Sequence, residues 1–209
     1  MRSEILDSLS ALMPADFFHV EFPIPSDKLF RLPDYSPLLA EECFADVYFK
    51  WNDEGIYLEA RVKQRFEEAC FPAVSRGDAL ELLIDTRDLK SAGFLTRFCH
   101  QFVILPEAVQ GIKAQEITRF RTEDAHPLCD GEKIQVSAHL SRSRYTLEVG
   151  IPRDCLHGYD PSSFDRLGFT YRLHRHGGKP QHFSVSSASY AIEHHSSLWA
   201  SFLLQRRKK

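Results

Sequence analysis

Residues Gly77 to Pro106 read GDALELLIDTRDLKSAGFLTRFCHQFVILP and contain two strand-like runs joined by a charged loop. In the first run, Asp78–Asp85, apolar side chains recur at alternate positions. In the second run, Arg97–Leu105, Phe102 and His100 are two positions apart and would point to the same face of a strand. Successive side chains of a strand point to opposite faces of the sheet, so this alternation predicts two strands that each turn one face to a core. The other face then meets solvent or a ligand.

More strands are predicted on both sides of this stretch. Asp46–Lys63 has the alternation of a hairpin that turns at Gly55, and Glu132–Ile151 that of a second hairpin. About ten strands with short turns predict an all-β fold, an antiparallel β-sandwich of the jelly-roll or immunoglobulin-like type. Its core is expected to contain the side chains of inward parity, which are Leu80, Leu82, Ile84, Phe98, Leu147, Val149, Phe169 and Trp199.

The chain is expected to form one domain, because its 209 residues suit a single large β-sandwich and no long linker divides them. Residues 1–15 are predicted to form an N-terminal helix or arm, since Ile5, Leu9 and Leu12 share a helical face that Pro14 ends. The sandwich is assigned to residues 16–205, and residues 206–209 form a basic tail.

Composition argues against several classes of partner. The net charge of −3 disfavours a nucleic-acid binder, which would normally carry a basic face. No run approaches the ~20 apolar residues that a membrane helix needs. Glu4 and Asp7 interrupt the region where a signal peptide would be apolar, which favours a cytoplasmic protein; export by a non-classical route is the alternative. The five cysteines, odd in number and without a Cys-x-x-Cys pair, are expected to be reduced core side chains.

Four motifs in order resemble the family 9 carbohydrate-binding modules and the wider group of DOMON-like sandwiches. They are FKWNDEGIYLEARV from Phe49, GDALELLIDTR from Gly77, YTLEVGIP from Tyr145 and LGFTYRLH from Leu167, the last followed by the closing run LWASFLL. Together they span most of the chain. The resemblance implies a β-sandwich that is used for binding, usually of sugars and usually without catalysis.

The resemblance also implies features of the binding site. In family 9 modules the ligand is held between two tryptophans, but Trp51 and Trp199 fall within the scaffold motifs, and a core position is the favoured interpretation for both. Haem held between Met and His, as in some DOMON-like domains, is not expected, since Met1 and Met13 lie outside the matched region. The resemblance also makes structural calcium possible, with candidate oxygen ligands in the turns; solvated turn carboxylates are the favoured interpretation. These ligands are Asp53, Glu54, Asp78, Asp85 and Asp88.

A transition-metal site is a separate hypothesis. His174 and His176 occupy alternate positions, which a continuous strand would place on one face, and His182 could add a third imidazole if the turn folds back. Surface or half-buried histidines are the favoured alternative, so the two residues are weak metal candidates and no other cofactor is expected.

The candidate ligand-binding residues lie in the charged loop or at positions of the central strands whose side chains are predicted to point away from the core. Strand residues of this set should line one polar face if their strands belong to one sheet. Arg87 and Arg97 would form a charged rim around Gly93. The full set is Tyr57, Arg61, Glu81, Asp85, Arg87, Arg97, Gln101, Glu148, Arg172 and His174.

The sequence therefore predicts a non-catalytic module that binds a sugar or other polyhydroxyl ligand on a polar sheet face. A protein-interaction or scaffold sandwich without a sugar ligand is the alternative. A metal-dependent enzyme is third, because the chain has none of the usual catalytic motifs and only Glu81 and Glu148 offer an acid–base pair.

Overall fold

The computed structural model describes residues 15–18 and 31–205 as two β-sheets packed face to face. The strands are β1 Ala15–Phe18, β2 Ala45–Asn52, β3 Gly55–Val62, β4 Ala79–Asp85, β5 Cys99–Val109, β6 Ile112–Glu116, β7 Gln135–Leu140, β8 Tyr145–Pro152, β9 Arg166–His174, β10 Gln181–His182 and β11 Ala200–Gln205. One short helix, α1, spans Ser36–Leu39. Single 3-10 turns lie at Val74–Arg76, Gly131–Lys133, Arg153–Cys155, Ile192–His194 and Ser196–Leu198.

The two sheets differ in size. The large sheet has the strand order β1-β11-β9-β4-β5-β6, with β10 paired to β9, and the small sheet has the order β2-β3-β8-β7. All these pairs are antiparallel except β1 with β11, which run parallel. The prediction of an all-β sandwich is therefore confirmed. The predicted N-terminal helix and basic tail lie outside the described residues, apart from Ala15 at the start of β1.

The main core fills the space between the sheets and contains most of the predicted side chains. Leu82 of the large sheet and Leu147 of the small sheet are both fully buried there. Phe49 meets Phe169 edge to face across the sandwich, with ring centroids 5.0 Å apart, a geometry that favours aromatic pairs. Six of the eight predicted core residues lie in this core, as the alternation along their strands indicated. They are Leu80, Leu82, Ile84, Leu147, Val149 and Phe169.

The other two predicted core residues lie elsewhere. Phe98 precedes β5 and is only half-buried. Trp199 is 1% exposed, but it belongs to a second cluster with Leu83 and Ile192. Its indole nitrogen donates a hydrogen bond to the carbonyl of Ile192 at 2.8 Å. The prediction was wrong about where Trp199 is buried, because loop segments form a second apolar layer on the outer side of the large sheet.

This second layer covers the face of β4 that was expected to be open. Every residue of Ala79–Asp85 is buried, with Leu83 under the Trp199 cluster and Ala79 in a third cluster with Val103 and Leu105. A strand buried on both faces reads as a nearly continuous apolar run, which the sequence ALELLID does. The outer face of β4 is therefore interior, not a free surface.

One disulfide joins two of the cysteines that were expected to be reduced. Cys129, in the segment before β7, is bonded to Cys155, in the turn after β8, with 5.0 Å between the Cα atoms. Cys43 and Cys70 are half-buried and Cys99 is buried, and these three are free thiols. The expectation of reduced core side chains fails for Cys129 and Cys155, whose pairing no local spacing indicated. Among the residues described, no helix is long and apolar enough to span a membrane.

Candidate functional site

The predicted binding residues do not share one polar face, which corrects the expectation from parity. β3 pairs with β8 in the small sheet, whereas β4 pairs with β5 and β9 in the large sheet. The two sheets turn their outer faces to opposite sides of the molecule. Three strand residues of the set lie on the small sheet, Tyr57, Arg61 and Glu148, and five on the large sheet, Glu81, Asp85, Gln101, Arg172 and His174.

Glu81 is the centre of a buried polar network on the large sheet. Its Oε1 accepts hydrogen bonds from Nε2 of His174 at 2.6 Å and from Nε of Arg172 at 3.1 Å. Its Oε2 accepts from Nη2 of Arg172 at 2.9 Å and from Nε2 of Gln101 at 2.8 Å. Burial alone would raise the pKa of Glu81, but the hydrogen bonds and charges of His174 and Arg172 outweigh it and hold the pKa at about 2. The carboxylate is saturated within the fold, so these residues tie β4, β5 and β9 together.

Asp85 and Asp78, two of the candidate calcium ligands, bind backbone instead. The two carboxylate oxygens of Asp85 accept from the N–H groups of Arg87 and Leu89 at 2.9 and 2.8 Å. One oxygen of Asp78 accepts from the N–H of Glu67 at 3.0 Å. Asp88 forms an ion pair with Lys90. In the described part of the chain, these turn carboxylates do not converge into a group of three metal-type ligands, and Asp78, Asp85 and Asp88 each have partners within the fold.

The charged loop is held by its own contacts. The guanidinium of Arg87 lies 3.5 Å from the ring centroid of Phe164 and 4.8 Å from that of Phe98, and it donates to the carbonyl of Gly158. Arg97 forms an exposed ion pair with Asp124. These two arginines have different partners and close different loops, which favours a structural role over a shared rim.

The proposed histidine pair is also separated. β9 ends at His174, which contacts Glu81, while His176 lies beyond the strand with Nδ1 3.6 Å from Glu68. The ring of His182 contacts Glu41 at 2.7 Å. The three imidazoles contact three different carboxylates, and the strand on whose continuation the metal hypothesis depended ends at His174.

The small sheet carries a groove of about 360 Å³ on its outer face, here called the small-sheet groove. Two rows of register partners form it, one through Lys50, Tyr57, Gly150 and Gln135 and one through Tyr48, Glu59, Glu148 and Ser137. The full lining is Tyr48, Lys50, Tyr57, Leu58, Glu59, Gln135, Val136, Ser137, Glu148, Val149 and Gly150.

The aromatic wall of the small-sheet groove depends on a missing side chain. A Cβ atom at Gly150 would lie 3.3 Å from Cε1 of Tyr57 and 3.3 Å from Oε1 of Gln135. The phenol ring therefore packs against the bare backbone of β8. Tyr57 is partly exposed, and burial raises the pKa of its hydroxyl, which keeps it a neutral hydrogen-bonding group.

Charges of both signs surround this ring. Glu59 and Glu148 are register partners on β3 and β8, an arrangement of like charges that is destabilising in sheets. Arg61 pairs with Glu59, and its guanidinium lies 4.5 Å over the ring of Tyr48. Lys50 is only 5% exposed, whereas the side chain of Glu148 is 51% exposed. The groove thus offers an aromatic face, a carboxylate open to solvent, an amide and hydroxyl groups within one surface.

A different set of side chains, which the sequence pattern did not predict, meets in the interior. His100 on β5, Glu116 on β6 and His126 in the following loop are buried, with one ligand-type atom each within 4.8 Å of the others. The parity of His100 with the core residue Phe102 was a signal for an inward-facing histidine. Nothing in the sequence placed Glu116 and His126 beside it, since they lie on a weak strand and a loop.

Comparison with known proteins identifies the fold but gives no family by sequence. No protein-family model matches the chain, and no curated protein sequence matches it. A family 9 carbohydrate-binding module from Caldicellulosiruptor kristjanssonii in complex with cellotriose is 13% identical and superimposes with a TM-score of 0.64, over 94% of this chain and 96% of that one.

Two further solved structures have the same architecture. A family 9 module from the same organism in complex with glucose is 12% identical, with a TM-score of 0.66 over 94% of this chain and 98% of that one. A candidate carbohydrate-binding protein from Bacteroides uniformis is 10% identical, with a TM-score of 0.51 over 77% of this chain and 78% of that one. The predicted resemblance to the family 9 sandwich is confirmed at the level of the fold.

Proposed function

We propose that this protein is a carbohydrate-binding module that holds its ligand in the small-sheet groove. The observation that carries the proposal is the ring of Tyr57 packed on Gly150, with Lys50, Glu148 and Gln135 around it. Support comes from the shared fold, since the two similar family 9 modules were solved with cellotriose and glucose. Because identity is low, the proposal rests on the groove and not on the relatives' ligands.

The groove has the chemistry that a pyranose ring requires. The face of an aromatic ring is the negative part of its quadrupole, so it attracts the weakly positive C–H groups on one side of a sugar. Carboxylates accept hydrogen bonds from sugar hydroxyls, and the amide of Gln135 can both donate and accept. The volume of about 360 Å³ lies in the range of about 300–1,000 Å³ that small-molecule sites occupy.

Binding without hydrolysis is part of the proposal. Glycosidases use two carboxyl groups, one of them protonated, that flank the scissile bond from opposite sides. Glu59 and Glu148 instead stand side by side on neighbouring strands, and Glu59 is held by Arg61. We expect no release of reducing sugar from any oligosaccharide that binds.

A glycan array followed by titration calorimetry with glucose and cellotriose tests this function. Wild-type protein should bind at least one glycan class, and Tyr57→Ala should weaken the affinity at least tenfold, since a stacked aromatic contributes much of the energy in such a site. Tyr190→Ala is the matched control, because Tyr190 is an exposed tyrosine that does not line the groove. Equal loss in both variants would show that the effect is not local to the groove.

The alternative of a protein-interaction module makes the opposite prediction. β7 is an edge strand of the small sheet, with Leu140 at its end 41% exposed, and such edges accept further strands. If no glycan binds while a protein partner does, and if Leu140→Lys abolishes that contact, the sugar proposal is replaced by the scaffold one.

A further inference from the structure

Two histidine side chains of the interior converge on one carboxylate oxygen of Glu116. Nδ1 of His100 and Nε2 of His126 each lie 2.9 Å from Oε1 of Glu116. The side chains of His100 and Glu116 are 0% exposed and that of His126 is 2% exposed. They come from β5, β6 and the segment after β6, at the edge of the large sheet. The small-sheet groove shares none of these residues.

The hydrogen bonding of His126 fixes which of its nitrogens carries a proton. Nδ1 lies 2.6 Å from the carbonyl oxygen of Arg97, and a carbonyl oxygen can only accept a hydrogen bond, so Nδ1 carries the proton. A neutral imidazole has one N–H group. Nε2 of neutral His126 therefore points a lone pair at the carboxylate oxygen of Glu116. Two lone pairs at 2.9 Å repel each other unless a proton or a metal cation lies between them.

The second ring nitrogen of His100 is buried as well. Its Nε2 makes no hydrogen bond of good geometry among the residues described, although the backbone of His157 is within interaction range of the imidazole. A neutral ring with its proton on Nε2 directs the Nδ1 lone pair toward Glu116, as His126 does from the other side.

Neighbouring groups orient the three side chains by hydrogen bonds, as the outer partners of metal ligands do. Oε1 of Glu116 accepts from the hydroxyl of Thr118 at 2.8 Å, and Oε2 accepts from the N–H of Cys129 at 2.6 Å. The Arg97 carbonyl orients His126, and a second hydrogen bond of this kind is typical of metal-binding histidines. Glu116 and Cys129 also line a cleft of about 620 Å³ along β6, which is the nearest described opening on the Glu116 side of the cluster.

We propose that Nδ1 of His100, Nε2 of His126 and Oε1 of Glu116 form a site for a divalent transition metal ion of the zinc type. Two imidazoles and one carboxylate suit zinc, whereas calcium takes oxygen ligands. At zinc–ligand distances of about 2.0–2.2 Å, tetrahedral ligand atoms stand about 3.3 Å apart, so the two contacts of 2.9 Å need to open by only a few tenths of an ångström. A bound ion would fasten the segment that carries Cys129 to the edge of the large sheet.

Metal titration of the full chain tests the site. Chelator-treated wild-type protein should bind one equivalent of Zn²⁺, and Co²⁺ should give the visible absorption of a tetrahedral complex. His126→Gln and Glu116→Gln should each weaken Zn²⁺ affinity at least tenfold. His174→Gln is the matched control, because His174 is also a buried histidine on a glutamate but lies in the Glu81 network, and it should bind Zn²⁺ as wild type does.

A measurement without variants keeps the test decisive if a substitution prevents folding. In ¹⁵N-histidine-labelled wild-type protein, Zn²⁺ should move the ring nitrogen resonances of two of the ten histidines, Nδ1 in one and Nε2 in the other. Failure of the stripped wild type to bind Zn²⁺ or Co²⁺ at micromolar concentration would overturn the proposal. So would unchanged Zn²⁺ affinity in folded His126→Gln, because the ion would then be bound elsewhere.

Discussion

Tyr57 and Gly150 are register partners on neighbouring strands of the small sheet, and the tyrosine ring occupies the space that a side chain at position 150 would need. The pairing makes the aromatic wall of the small-sheet groove depend on two residues at once. A strand glycine often marks a place where another group approaches the backbone closely, and here that group is the ring.

Gly150→Val is expected to close the groove without unfolding the protein. The new side chain would meet Tyr57 and Gln135 at 3.3 Å and push the ring outward, while the buried face of β8 is unchanged. We expect the affinity for any glycan that binds wild type to fall at least tenfold, and the free energy of unfolding to change by no more than about 1 kcal/mol. Gly93→Val is the control, since no described residue lies within 4 Å of its added Cβ. Full affinity in Gly150→Val would remove the groove from consideration.

Replacing Glu81 should cost far more stability than replacing Glu148. Glu81→Ala leaves Arg172 and His174 buried without their main partner, and breaking a buried ion pair typically costs about 3–5 kcal/mol. Arg172 keeps Glu193 at 3.7 Å, so we expect the lower end of that range. Glu148→Ala, at a half-exposed position, should stay within about 0.5 kcal/mol of wild type. Urea unfolding monitored by circular dichroism measures both, and similar values for the two variants would contradict the structural role of Glu81.

Acid should destabilise the protein through the buried carboxylate of Glu81. Its pKa is held at about 2 in the folded state, below the ordinary value of 4.5, by the hydrogen bonds and charges of His174 and Arg172. Because the unfolded chain binds this proton first, the contribution of Glu81 is complete above about pH 5 and is lost as the pH falls toward 2. It amounts to roughly 3 kcal/mol. Denaturant unfolding at pH 7, 5, 4 and 3 should show this decline in the free energy of unfolding. In Glu81→Gln the slope of that free energy against pH should be smaller by the equivalent of up to about one proton. The same slope in the variant and in wild type would contradict the assignment.

Reduction of the disulfide should destabilise the sandwich. Cys129 and Cys155 close a loop with a sequence separation of 26, and a crosslink over such a loop typically contributes about 2–4 kcal/mol. Alkylation of the denatured, unreduced protein should label Cys43, Cys70 and Cys99 and spare this pair, as mass spectrometry would show. Cys155→Ser should lower the midpoint of thermal unfolding, whereas Cys43→Ser should leave it nearly unchanged. Labelling of all five cysteines would mean that the pair is not bonded.

Local alternation predicted the strands and their buried faces because side-chain direction along a strand follows from the backbone alone. Leu82 and Leu147 are in the core for this reason. Alternation says nothing about which strands pair, and this is where the predicted site failed. Glu81 contacts Arg172, 91 positions further along the chain, in the large sheet. Glu148 lies in the small sheet, opposite Glu59. Which sheet a strand joins depends on residues far apart in the sequence, and the local alternation of side chains does not indicate it.

The loops were the second source of error, for a related reason. Trp199 and Ile192 cover Leu83 from outside because the chain after β10 folds back over the large sheet, and the apolar run in β4 was the visible sign that both faces are buried. The meeting of His126 with His100 and Glu116 depends on the path of a loop that has no periodicity. Residue type and parity could identify His100 as an inward-facing histidine, but not its partners.

The burial of β4 on both sides has a consequence for how specificity can change. In this chain β4 lies between two packed layers, so a substitution on either of its faces disturbs packing. Among the described residues, no such layer covers the outer face of the small sheet at Glu148, Ser137 and Gln135, which are all exposed. A library randomised at these three positions should therefore yield mostly folded members with varied ligand preference. Positions that can diversify and positions that packing holds fixed thus lie on different surfaces of the sandwich.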